Sequence, residues 1–308
     1  MMATPCCPRY HRQVNAAVIT GVLLIQVVFT SLDLAERHRT RDERPPIRAA
    51  TVWFLLAVIL VFFAIQIGLM ALAPRIDVMM STVQRWTPGS ATRSDMPFWP
   101  IVLVSVLAFY IGSLFDYLVH RFFNHSNVFW WTHEYHHLPR EVFVALPGLS
   151  VRPFSVFTAI PTAFGTICVS YGVIWLAGWP AWDLRPLGFV ALANAFILTT
   201  SHSEWLRRWW WPHHLLRTLA LTTPHEHLVH HAVDRPGNYG NIVSLWDRLF
   251  GTYRDPLDPD NQGRELGLTY DQDFLGTLTL GRLKLPASWR KRFQVDRYCR
   301  LDEPEDKP

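Results

Sequence analysis

In a chain of 308 residues, half are hydrophobic and only 18% are charged, well below the roughly one-quarter charge of a soluble globular domain. The net charge of +4 sits in loops beside apolar runs rather than on a stripe of its own, which argues against nucleic acid as a partner and for a membrane. The cysteines, Cys6, Cys7, Cys168 and Cys299, form neither a Cys-x-x-Cys pair nor a disulfide framework.

Four stretches reach the roughly 20 apolar residues needed to cross a bilayer core: 15–32, 50–73, 99–119 and 154–178. A fifth, 186–201, is shorter and reads as a span completed by flanking residues or as the deep arm of a hairpin. Core helices of a soluble protein explain one such run but not four. Arg9 and Arg12 before the first run suit a signal peptide, yet Leu32-Asp33-Leu34-Ala35-Glu36-Arg37 leads into charge instead of a small-residue cleavage site. The fold class expected is therefore an all-α polytopic membrane protein with four to five transmembrane helices and a helical cap.

Arg37, Arg39, Arg41, Arg44 and Arg48 crowd the loop after the first run, which the positive-inside rule places in the cytoplasm. The loop 74–98 then lies outside, and the third span ends on the cytoplasmic side at Val119, where the histidine clusters begin. Residues 1–98 read as a two-span membrane anchor, 99–254 as the region holding the chemistry, and 255–308 as a polar, turn-rich tail without enough apolar surface to order itself. Met96-Pro97-Phe98-Trp99-Pro100 suits a helix entering from the interface. A surface loop runs from Leu138-Pro139-Arg140 to Arg152-Pro153, and Trp205, Arg207, Arg208, Trp209, Trp210, Trp211 and Arg217 form the mixture found at headgroup depth.

All the histidines except His11 and His38 lie between 120 and 231. His133, His136 and His137 are spaced i, i+3, i+4, and so are His227, His230 and His231. On a helix this spacing puts three imidazoles on one face, about 5–6 Å apart at Cβ, within reach of one ion or a pair. His120 and His125 diverge by about 140° on an ideal helix, so the helix must end or bend near Asn124. His202 closes the fifth segment. All these sets fall at one membrane depth on one side, the arrangement that encloses a metal between helices. Neutral imidazole suits iron, zinc, copper and nickel, and nine histidines exceed what one ion can take, which implies two. Glu134 and Glu226 read either as acceptors of a hydrogen bond from a ligand ring or as exposed and solvated, and Asp116 and Asp247 fit the acceptor role better. Asn238, Tyr239, Trp246 and Arg248 read as packing a cap over the site.

The ordered set His120-x4-His125, His133-x-x-His136-His137, His202 and His227-x-x-His230-His231 resembles the fatty acid hydroxylase/sterol desaturase superfamily, over about 99–254. The context agrees: Asp116-Tyr117-Leu118-Val119-His120-Arg121, Trp130-Trp131-Thr132-His133, Thr223-Pro224 and Asn238-Tyr239-Gly240 followed by Trp246-Asp247-Arg248-Leu249-Phe250-Gly251-Thr252 are similar to that family's boxes and the stretch after them. Two departures stand out. The first box has four intervening residues where many sterol-desaturase-like members have three, and Leu198 and Leu206 stand where a second histidine beside His202 would be.

The resemblance implies that His120, His125, His133, His136, His137, His202, His227, His230 and His231 bind two iron ions (Fe2+/Fe3+). It also implies O2 as co-substrate, a membrane lipid substrate (acyl, sterol or carotenoid), and a separate electron donor of cytochrome b5, ferredoxin or reductase type. His214 and His225 are candidates for a tenth ligand; His11, His38 and His213 read as structural or solvated. Lipid hydroxylation is the reading preferred. Its alternatives are desaturation at the same site, a zinc-dependent lipid hydrolase and a non-catalytic metal transporter.

Overall fold

The computed structural model describes residues 8–43, 48–72, 98–142, 156–179, 183–233 and 235–295. The expectations for Cys6, Cys7, Cys299 and Arg44, most of the loop 74–98, the connection through Arg152-Pro153 and the last residues of the tail lie outside them. Each apolar stretch forms a helix: α1 (Pro8–Arg39), α2 (Ala49–Leu72), α3 (Phe98–Val119) and, after the short α4 (Glu134–His137), α5 (Val156–Leu176) and α6 (Arg185–Thr200). Short helices follow: α7 (Glu204–Arg207), α8 (Trp210–Thr218), α9 (Pro224–His230), α10 (Leu245–Leu249), α11 (Phe274–Leu278) and α12 (Ala287–Arg292). The described residues contain no strand, only the isolated antiparallel bridges Leu221–Val243 and Ala232–Leu266.

Two helical stretches, Ala16–Arg39 and Phe98–Asn124, are long and apolar enough to cross a membrane. The sixteen residues of α6 reach about 24 Å, short of the ~30 Å hydrocarbon core. Polarity is inverted relative to a soluble bundle. Ile19, Leu23, Leu24, Val27, Leu103 and Leu107 point outward, whereas Ser105, Ser113, Thr166, Ser170, Thr199 and Thr200 are buried. Several of the buried hydroxyls bond to main chain, as Ser105 does to the Ile101 carbonyl (2.6 Å) and Ser170 to that of Ala108 (3.1 Å). An apolar exterior over polar groups turned inward suits lipid as the surrounding medium.

α3 packs on α5 and α6, and α1 runs along α6 and α7. Small residues set the spacing. A Cβ on Gly112 of α3 would lie 2.2 Å from Ser170 Oγ, and one on Gly165 of α5 would lie 2.1 Å from the Phe115 ring.

The segment after Arg254 departs from the sequence expectation, because residues 255–295 are folded rather than a tail unable to order itself. Leu268, Leu285 and Val295 are buried with Val58, Tyr135 and Leu138, and Phe293 stacks on Phe54 with centroids 4.6 Å apart. The segment's few apolar residues suffice because they dock on α2 and α4 instead of forming a core of their own. Asp273 fastens it by accepting from the amides of Gly276 (2.8 Å) and Leu285 (2.9 Å) and from Arg290 (2.9 Å).

Candidate metal centre

Past Val119 the chain widens into a π-helical turn over His120–Asn124, closed by the His125 amide on the His120 carbonyl at 3.2 Å. This is the bend that the five-residue spacing demands. The extra residue per turn cancels most of the divergence, and the rings of His120 and His125 come to 4.9 Å between centroids. A 3₁₀ turn, Trp130–Thr132, then delivers His133 and α4, while α6 ends just before His202. α9 begins with a capping box: Thr223 Oγ1 accepts from the Glu226 amide and the Glu226 carboxylate accepts from the Thr223 amide.

These elements bring together all nine histidines singled out in the sequence, in two groups. His120, His125, His133, His137 and His230 form one; His136, His202, His227 and His231 form the other; within each group the ring nitrogens lie within 4.8 Å of one another. The two His-x-x-His-His boxes are interleaved. Residues i and i+4 of a box stay together while i+3 crosses over, so His133 and His137 join His230, and His227 and His231 join His136. Helical geometry explains the split, since i and i+4 differ by about 40° but i+3 lies about 100° from i+4.

Backbone carbonyls orient the rings. His120 Nδ1 donates to the Tyr239 carbonyl (2.5 Å), His230 Nδ1 to that of Gly237 (2.9 Å) and His202 Nδ1 to that of Leu198 (2.9 Å). A carbonyl only accepts, so Nδ1 carries the proton and Nε2 of the neutral ring keeps its lone pair for the centre. His120 Nε2 lies 3.0 Å from His133 Nε2, which is 3.1 Å from His137 Nε2; His227 Nε2 is likewise 3.0 Å from His202 Nε2 and 3.1 Å from His231 Nε2. Burial first, then neighbouring imidazoles, hold His137 and His227 well below the usual histidine range, which keeps them neutral and able to ligate.

The carboxylates brace the chain around the two groups. Glu226 accepts from the Thr223 amide (2.9 Å) and Tyr253 hydroxyl (2.8 Å) and lies 3.6 Å from Arg248, so it caps α9. Glu134 accepts from Tyr270 and from Gln272 (3.2 Å), which tie α4 to the C-terminal segment. Asp247 accepts from the amides of Tyr239 and Gly240, both at 2.7 Å, and from Thr252 Oγ1 at 2.7 Å. It thus braces the loop whose carbonyls meet His120 and His230. Asp116 receives the Asn241 amide at 3.2 Å.

The expected cap is present. Asn238, at φ +50°, donates from its amide to the carbonyls of Glu226 and Arg254 (both 3.0 Å) and accepts from the Arg254 amide (2.8 Å). Trp246 Nε1 donates to Ser113 Oγ at 2.9 Å, and Arg248 covers the Tyr253 ring.

Neither candidate for a tenth ligand belongs to the two groups. His225 stacks on Trp210 at 3.9 Å, and His214 is exposed. His213 is fully buried and bonded to Thr223 Oγ1 at 2.8 Å; burial lowers both His213 and His225 to about 4. A cavity of about 290 Å³ between Arg207, Trp210, His225, Leu228 and Leu266 lies on the far face of α9, and none of the nine histidines lines it.

Ligands at about 2.0–2.1 Å from one ion stand at most about 4.2 Å apart, so a spread of 4.8 Å closes with sub-ångström shifts. With buried imidazoles, inward lone pairs and carbonyl-held Nδ1 protons, the residues fit a metal site. Among the described residues the one cysteine, Cys168, is an exposed free thiol and no part of either group.

Comparison with known proteins agrees. Residues 105–252 match the fatty acid hydroxylase family model. An alkylglycerol monooxygenase of Danio rerio is 26% identical over 200 residues, covering 62% of this chain and 38% of the relative. An ornithine lipid hydroxylase of Rhizobium tropici is 27% identical over 178 residues, covering 56% and 47%. An alternative squalene epoxidase of Phaeodactylum tricornutum is 44% identical over 59 residues, covering 19% and 16%. The chain thus spans less than half the length of these curated relatives, and no solved structure matches it. Over the region that carries the ordered histidine boxes, the chain is thus similar to the fatty acid hydroxylase family.

Proposed function

We propose that this chain is a multi-pass membrane enzyme that uses two iron ions and O2 to hydroxylate a C–H bond of a lipid. Residues 99–254 form the catalytic region, residues 1–98 anchor it, and the histidines face the cytoplasm. The observation that carries the reading is the interleaving of the two boxes into groups of five and four imidazoles, all buried except the half-buried His125, enough ligands for a pair of ions. The relatives whose names record oxidation of alkylglycerols and ornithine lipids support a lipid as substrate. So do the exposed apolar side chains Phe122, Phe123 and Val128 around His120 and His125, which carry an apolar surface up to the site.

An unactivated C–H bond offers acids, bases and nucleophiles no handle; the iron pair, when bound, supplies the oxidising chemistry with O2 and two electrons from a separate donor protein. The chain's own residues do the rest. His120, His202 and His230 turn their lone pairs inward because main-chain carbonyls hold their Nδ1 protons. Asp247 fixes the 237–240 loop that supplies two of those carbonyls. Burial of the imidazoles excludes water, which keeps them neutral and the site dry.

The test combines metal analysis of the purified protein with mass spectrometry of lipids from cells with and without it. Two irons per chain, O2 uptake and a lipid gaining one oxygen are expected. Loss of two hydrogens instead assigns desaturation, and one zinc without O2 uptake removes the proposal.

A further inference from the structure

We infer that Asp33 of α1 is a positioning residue for His202, holding the turn that aims this imidazole into the four-histidine group. The inference rests on the metal function proposed for that group. Asp33 is fully buried and accepts three hydrogen bonds: from Ser203 Oγ (2.7 Å), from the Glu204 amide (3.0 Å) and from the Trp205 amide (3.0 Å). These residues follow His202 directly. Two turns earlier on the same face of α1, Gln26 Nε2 donates to Thr199 Oγ1 at 2.7 Å, three residues before His202. One helix therefore grips the chain on both sides of a single ligand.

The grip is needed because His202 stands in the connection between α6 and α7. α7 has four residues, too few to stabilise itself, and its first amides need an acceptor. The side chain of Ser203 caps the Leu206 amide, and the carboxylate reaching across from α1 takes the amides of Glu204 and Trp205. Three donors meeting at one point require a group with two oxygens and no hydrogen, which aspartate offers and asparagine does not. Farther along α1, Arg37 joins Glu204 (3.3 Å) and Glu141 (2.8 Å), tying the same turn to the chain that follows α4. A fully buried carboxylate at the end of the first apolar run is costly to keep without partners; here its partners make α1 part of the wall around the metals.

The experiment uses the full chain purified in lipid nanodiscs and loaded with Co2+. It compares wild type with Asp33→Asn, Ser203→Ala, His202→Ala and the Asp33→Asn/His202→Ala double variant, reading metal per chain and the cobalt visible spectrum. Asp33→Asn is expected to weaken one of the two ions by about 10- to 100-fold and to shift the spectrum in the direction His202→Ala does. Ser203→Ala should give the same shift, smaller. The double variant should be no worse than His202→Ala alone, because Asp33 acts through His202. A wild-type spectrum and two tightly bound ions in Asp33→Asn overturn the inference, as does a double variant that loses further metal. A wild-type protein that binds no ion pair overturns the functional reading instead, so the two failures are distinguishable.

Discussion

The Tyr239 amide donates to the Asp247 carboxylate at 2.7 Å, and the Tyr239 carbonyl accepts from His120 Nδ1 at 2.5 Å, so one residue of the cap links a buried acid to a ring of the five-histidine group. Asp247→Ala leaves the Tyr239 and Gly240 amides without that acceptor, at about 1–3 kcal/mol for each buried donor. Lower thermal stability and loss of metal from the five-histidine group are expected. Thermal unfolding and metal per chain check this, and unchanged values in both would show that the loop holds itself.

His136 and His230 sit in different groups. Alanine at either should abolish product and remove about one ion of a coordinated pair, while the protein still inserts in membranes. Full product formation in either variant, measured by lipid mass spectrometry, would contradict the proposed site.

At the α3–α5 contact, Gly112→Ala forces a methyl to within 2.2 Å of Ser170 Oγ. Overpacking of this kind costs about 1–3 kcal/mol. Ser170→Ala should relieve part of it, because the nearest side-chain atom is then Ser170 Cβ at 3.4 Å. A double-mutant cycle on detergent unfolding would expose a compensation that strictly additive values would refute.

Truncation after Arg254 removes Tyr270 and Gln272 from Glu134 and strips Leu268 and Leu285 from Tyr135 and Leu138. Metal loading should fall sharply although no histidine is deleted. Tyr270→Phe, which also removes the acceptor of Trp130 Nε1, should show a milder loss, about 1–3 kcal/mol in stability. A truncated protein that loads metal normally would make the segment dispensable.

The apolar runs announced all five long helices, because about twenty consecutive apolar side chains leave a backbone little choice but to bond to itself. The nine histidines were legible from spacing, and even the bend at Asn124 followed from the angle between His120 and His125. The Thr223-x-x-Glu226 capping box is a sequence pattern as well, and it would have assigned Glu226 to α9 rather than to a ligand ring. The acceptors for His120, His202 and His230 were not legible, since every residue has a carbonyl and only the path of the chain decides which one faces a ring. Asp33 was hidden for a related reason: its partners lie some 170 residues away. The docking of 255–295 was hidden because its few apolar residues borrow a surface from α2 and α4.

Interleaving commits each His-x-x-His-His box to both histidine groups, whereas His120 and His125 serve one group and His202 the other. α9 serves both groups and so does α4, so a chain lacking either element loses histidines from both at once.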